Sequence, residues 1–166
     1  MLGSFVARAL KYNKEVHSHQ SGMPFNDTYT SSKFAMEGFT ECQATYLHRY
    51  GIQISLVEPG PILTNFVKTV EENHKLPHPD DAYSPLTPEF EKMMGEQFKD
   101  ENMVQTPKEV AAVVVRVMED YPKPHFRYQT SDFVKGAASD RWKDPTGYSM
   151  VHKYGRSTFS SQDVLP

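Results

Sequence analysis

"YTSSKFAMEGFTECQATYLHRYGIQISLVEPGP" occupies residues 29–61. Ala35, Phe39, Cys42 and Tyr46 recur at helical spacing, and Gly51 stands where a C-terminal cap belongs, so residues 29–50 are predicted to be one long helix. Immediately after it Ile52, Ile54 and Leu56 alternate, Val57 extends the apolar run, and Pro59-Gly60-Pro61 stops it. That pattern predicts a buried strand that ends in a loop. A helix fed through one glycine into a short apolar strand is half of a parallel αβ unit, and the fold class expected is α/β.

The same stretch places Tyr29 and Lys33 four residues apart, separated by the small residues Thr30, Ser31 and Ser32. Positions i and i+4 share a helix face, with about 5–6 Å between Cβ atoms. An unperturbed phenol, with a pKa near 10, is a poor proton donor or acceptor at neutral pH. An ammonium beside it favours the phenolate, by about one to three pH units in a partly buried site, and makes it usable as a general acid and base. Such a pair arises by chance about 0.3 times in a chain of this length. Its meaning comes from context: it opens the helix that leads into the Pro-Gly bend.

The remaining sequence sets bounds. At 166 residues with 38% hydrophobic residues, the chain can form one domain with a core. A net charge of −3, with no basic stripe, argues against nucleic-acid binding. No apolar run is long enough for a transmembrane segment. Cys42 is the only cysteine, which excludes a disulfide framework and fits a reducing, cytoplasmic setting, with peripheral membrane association also open. Leu2 to Leu10 reads as a short helix, alternatively as a weak targeting segment. "TPEFEKMMGEQF" (87–98) reads as a capped helix with Pro88 first and a stripe of Phe90, Met93, Met94 and Phe98. "TPKEVAAVVVRVMED" (106–120) reads as a second one, with Thr106 the cap and Glu109 closing a capping box. "HFRYQT" (125–130) is the last expected strand, and the tail from Ser131 reads as polar and irregular. His17, His19, His74 and His78 sit in polar loops without zinc-like spacing, so no metal is expected.

Four stretches carry a resemblance: "GMPFNDTYTSSKFAMEGFTECQ" (22–43), "GIQISLVEPGPILTNF" (51–66), "KPHFRYQT" (123–130) and "KDPTGYSMV" (143–151). Together they resemble the short-chain dehydrogenase/reductase family, in the branch of the 17β-hydroxysteroid and photoreceptor-type retinol dehydrogenases. The resemblance implies a Rossmann-type, doubly wound parallel sheet that uses NADP(H) or NAD(H) to interconvert an alcohol and a ketone or aldehyde. The branch favours NADP(H) and a small apolar steroid or retinoid substrate. It implies that Tyr29 donates and accepts the proton, and that Lys33 tunes Tyr29 and binds the nicotinamide ribose. Pro59, Gly60, Ile62 and Thr64 match the loop that faces the nicotinamide amide and the pyrophosphate, outside the carboxyl end of a strand. Asn26 is a candidate for substrate contact or for the helix cap, and Met93 and Met94 are candidates for pocket lining or ordinary packing. The helix 29–50 pairs subunits in many family members, which suggests a homodimer.

The sequence also departs from that pattern. Neither TGxxxGxG nor GxGxxG occurs, and the Tyr-Lys pair stands far earlier than in the family. Val16 occupies the usual place of the catalytic serine, and the flanks of Ser18 and Ser21 are not those of an apolar strand, so that role is unassigned. The expectation is therefore the C-terminal portion of the fold, with N-terminal βα units missing: a divergent start (1–21), the family domain (22–130, with a lid over 66–104) and a polar tail (131–166). Unpaired sheet edges then invite association. Three outcomes stay open: a reductase that is poorly active alone, an inactive partner of a full-length relative, or a truncated gene product.

Overall fold

The computed structural model describes residues 22–65, 80, 82–97 and 99–159. The expected helix at Leu2–Leu10, the serine candidates, all four loop histidines and residues 66–79, 81 and 98 of the expected lid lie outside these residues. Helix α1 (Asp27–Leu47) runs into a 3-10 turn (His48–Tyr50), and strand β1 (Leu56–Glu58) follows. A second 3-10 turn (Ser84–Leu86) leads into α2 (Thr87–Gln97), then α3 (Pro107–Glu119), β2 (Arg127–Gln129), α4 (Asp132–Lys143) and α5 (Tyr148–Thr158).

The two strands pair in parallel, with Leu56 opposite Arg127, Val57 opposite Tyr128 and Glu58 opposite Gln129. The Leu56 N–H donates to the Phe126 carbonyl (2.7 Å), and the Ser55 hydroxyl donates to the His125 carbonyl (2.7 Å). A parallel pair needs a crossover, and α3 lies in that connection. A single parallel bridge between Ile62 and Gln105 continues the pairing past the bend. The core gathers around this ladder: Ile54, Leu56, Ile62, Val110, Val117, Tyr128, Val134 and Ala138 are buried. The arrangement is a small α/β unit of the kind a Rossmann-like sheet contains.

Local signals are realised where capping chemistry is complete. Gly51 takes a left-handed conformation (φ 74°) and ends the 3-10 turn after α1, as a residue without Cβ allows. Thr106 and Glu109 form the expected capping box, with the Thr106 N–H donating to Glu109 Oε2 at 2.7 Å and the Glu109 N–H to the Thr106 hydroxyl at 3.3 Å.

Two expectations are corrected. Thr87 does not cap α2: its hydroxyl donates to the Ser84 carbonyl (2.8 Å), because the 3-10 turn at Ser84–Leu86 supplies the helix entry. The tail is not irregular. Ser131 accepts from the Val134 N–H and starts α4, which buries Val134 and Ala138, and α5 buries Met150 and Thr158. The period is hidden from a count of apolar residues because α4, over twelve residues, buries only Val134 and Ala138. The apolar stripe on α1 is exposed, with Phe39 at 64%, and the buried residues of the helix are Thr30 and Thr40.

Candidate active site

Because α1 starts at Asp27, Tyr29 lies in its first turn, and the i+4 geometry with Lys33 is met. Lys33 Nζ stands 4.8 Å from the centroid of the Tyr29 ring, within the range of cation–π attraction. Both side chains are half-buried. At about 100° per residue, Tyr29, Lys33, Glu37 and Glu41 form one ladder along α1, on the side that also carries buried Thr30 and Thr40. The apolar stripe of Ala35, Phe39, Cys42 and Tyr46 lies roughly opposite. The face of α1 turned toward the rest of the described chain is thus its polar face, which carries Tyr29 and Lys33.

The turn into α1 is shaped by packing. Phe25 holds a left-handed conformation (φ 59°), unusual for a residue with a Cβ. Its ring packs edge-on against Phe90 (5.2 Å between centroids) and Phe159 (6.4 Å), which offsets the local strain. Asn26 occupies the N-cap position; its carbonyl accepts from the Thr30 N–H (2.7 Å), and its side chain makes no capping bond.

The Pro-Gly bend is held by one side chain that sequence reading did not single out. Buried Gln105 accepts the Gly60 N–H on Oε1 (3.0 Å) and donates from Nε2 to the Thr130 carbonyl (2.8 Å), while the Thr130 hydroxyl also donates to Oε1. The Gln105 backbone closes the other side, with its N–H on the Pro61 carbonyl (2.8 Å) and its carbonyl accepting from Leu63 (2.9 Å). In a parallel bridge of this kind the Ile62 N–H and carbonyl point away from Gln105. Gly60 is closely enclosed: a Cβ there would come within 3.2 Å of Gln105 Oε1 and 3.3 Å of both the Met103 carbonyl and Val134 Cγ2. Pro59, Gly60 and Ile62 are buried, and Thr64 is half-exposed.

Between bend and ladder stands Arg127. Its Nε (2.7 Å) and Nη2 (2.6 Å) both reach Glu37 Oε1; Nη2 lies 3.3 Å from Glu41 Oε2, and Nε lies 3.7 Å from Glu58 Oε1. Glu58, only 2% exposed, also accepts from Gln129 Nε2. Charged groups this buried persist where they are paired and hydrogen-bonded. No local motif announced this cluster, whose members lie up to 90 residues apart. Among the described residues no group of His, Cys, Asp and Glu is arranged to hold a metal.

A groove of about 660 Å³ opens beside the loop that enters α1, lined by Met23, Pro24 and Asp27 on one side and by Trp142, Met150 and Tyr154 on the other. Tyr29, Lys33, the bend, Met93 and Met94 do not line it. Met93 and Met94 are half-buried on α2, beside buried Phe90. Asp144 at the groove rim accepts from the Thr146 hydroxyl and from the N–H groups of Thr146 and Ser149, which hold its carboxyl well below the usual carboxylate range and fix the start of α5. The "DPTG" turn at 144–147 was the available signal for this second helix pair.

Comparison with known proteins finds relatives of this chain. Residues 15–75 match the family model described as short chain dehydrogenase. The chain is 35% identical over 141 residues to retinol dehydrogenase 8 of Bos taurus, covering 78% of this chain and 42% of that protein. It is 33% identical over 140 residues to 17-beta-hydroxysteroid dehydrogenase type 1 of Homo sapiens, covering 83% and 42%. Retinol dehydrogenase 8 of Homo sapiens is 35% identical over 155 residues, covering 87% and 47%. The chain thus spans less than half the length of these relatives.

Proposed function

Because the chain belongs to the short-chain dehydrogenase/reductase family, in the branch of retinol dehydrogenase 8 and 17-beta-hydroxysteroid dehydrogenase type 1, we propose that it carries the proton-transfer half of an oxidoreductase site. The reaction is interconversion of an alcohol with a ketone or aldehyde on a flat apolar molecule of the retinoid or steroid class. The cofactor is NADP(H) or NAD(H), with NADP(H) favoured by the branch. The observation that carries this reading is Lys33 Nζ at 4.8 Å from the Tyr29 ring, in the first turns of a helix beside a fastened Pro-Gly bend.

The residues fit a nicotinamide in one specific respect: the Ile62 backbone groups, turned off the Gln105 bridge, offer a donor and an acceptor to a carboxamide, and the half-exposed Thr64 follows them. When bound, the nicotinamide supplies or takes the hydride. Tyr29 Oη gives its proton to the carbonyl oxygen as that oxygen gains charge, and takes it back in the reverse direction. Lys33 stabilises the phenolate that remains and offers its ammonium to ribose hydroxyls. Asn26, three residues before Tyr29 at the head of α1, is the side chain this reading assigns to substrate contact. The 166 residues contain no glycine-rich βα turn, so the reading assigns this chain the nicotinamide end of the chemistry and low activity alone. The test is NADPH oxidation with all-trans-retinal or estrone by the purified chain, alone and mixed with a full-length relative. Turnover that disappears with Tyr29→Phe supports the reading; turnover that survives the substitution overturns it.

A second reading rests on the exposed side of α1. Phe39 (64%), Tyr46 (49%) and Tyr50 (77%) present aromatic surface there. Contiguous exposed apolar surface marks an association site. In this reading the chain pairs through residues 29–50 with a second copy or a full-length relative and serves as an inactive partner. Light scattering distinguishes it: a dimer that becomes monomeric on Phe39→Asp supports pairing through α1.

A further inference from the structure

We propose that Arg127 is a positioning residue for the Tyr29–Lys33 pair: by holding Glu37, it keeps that carboxylate from drawing the Lys33 ammonium away from the Tyr29 ring. The inference rests on the Tyr-Lys reading above. Lys33 and Glu37 are themselves four residues apart on one helix face, so an unrestrained Glu37 competes with Tyr29 for the same cation. Arg127 removes that competitor. Two of its nitrogens converge on Glu37 Oε1 at 2.6 and 2.7 Å, and Nη2 extends to Glu41, the next acid of the ladder.

The geometry suits arginine rather than lysine. A planar fork reaches both acids at once and stacks on aromatic faces. Its Cζ lies 4.8 Å from the Phe126 ring centroid and 5.3 Å from that of Trp142, which set the plane in which the fork points. From β2, Arg127 thereby connects the strand end that runs into Pro59 and Gly60, through Glu58, with the helix that carries Tyr29. Among the described residues, the charged groups around the ladder include Lys33, Glu37 and Glu41 on α1, Glu58 on β1, Arg127 on β2 and Arg141 on α4, whose Cζ lies 4.6 Å from the Phe34 ring centroid.

The experiment follows the titration of Tyr29 by NMR in the full chain labelled with [¹³Cζ]tyrosine, the resonance being identified with Tyr29→Phe. Lys33→Met sets the scale by raising the Tyr29 midpoint. Arg127→Met is expected to raise it in the same direction by about half a pH unit or more. In the Lys33→Met background Arg127→Met should add nothing, because its effect runs through Lys33. Adding Glu37→Gln to Arg127→Met should return the midpoint to its native value. If Lys33→Met leaves the midpoint unchanged, the Tyr-Lys reading itself falls. If Lys33→Met moves it but Arg127→Met does not, or if the Arg127 effect persists without Lys33 or survives Glu37→Gln, the positioning role alone falls. Should Arg127→Met lose its helical circular dichroism, Arg127→Lys, which cannot engage both acids, carries the same comparison with a smaller shift and the same overturning outcomes.

Discussion

The side-chain oxygen Oε1 of Gln105 accepts the backbone N–H of Gly60 at 3.0 Å, across 45 residues of sequence. Through this contact the entrance of α3 dictates the shape of the bend after β1. Gln105→Leu keeps the volume but leaves the buried Gly60 N–H and the Thr130 carbonyl without their Gln105 partners, and the Thr130 hydroxyl with the Glu58 carbonyl at 3.4 Å. The expected cost is about 1–3 kcal/mol, read as a lower urea midpoint with an unchanged slope. A variant of native stability would show that the bend does not depend on the glutamine.

Gly60 faces the opposite constraint. Its missing Cβ is surrounded at 3.2–3.3 Å by Gln105 Oε1, the Met103 carbonyl and Val134 Cγ2. Gly60→Val should overpack the bend and destabilise by about 1–3 kcal/mol, measured by thermal unfolding. Combining it with Val134→Ala, which frees space on one of the three sides, should restore part of the loss.

Tyr29→Phe removes the transferable proton and nothing of the ring above which Lys33 sits. In any active assembly that contains this chain, turnover should fall by about two to four orders of magnitude, the range expected for loss of a general acid. Circular dichroism should stay native, since the substitution keeps the half-buried ring in the first turn of α1.

Acid stability should carry the mark of Asp144. The Thr146 hydroxyl, then Ser149, hold its carboxyl well below the usual range. A depressed acid of this kind contributes stability that is fully present above its unfolded value, near 3.9, and is lost as pH falls through its folded value. The native chain should therefore lose thermal stability steeply below about pH 4. Asp144→Asn should begin lower at pH 6 and show a flatter acid limb, as α5 loses a cap that no longer depends on protonation.

The sequence by itself determined what short-range physics fixes. A 3.6-residue period, Gly51 with φ 74° and the Thr106–Glu109 capping box act over a few residues, and each appears where the sequence placed it. The Tyr29–Lys33 approach belongs here too, because a helix alone brings i and i+4 together. Tertiary structure decided which face of α1 turns inward. Apolar spacing at Phe39 and Tyr46 gave the helix its period but not its orientation, and the inward face is the polar ladder, held by ion pairs from Arg127 on a strand 86–90 residues away. It also decided that Gln105 fastens Gly60 and that the polar tail folds into two helices around Val134, Ala138 and Met150. These outcomes depend on which distant groups meet, and a buried carboxylate or amide persists only where its partners arrive together. No period in the chain encodes such a meeting.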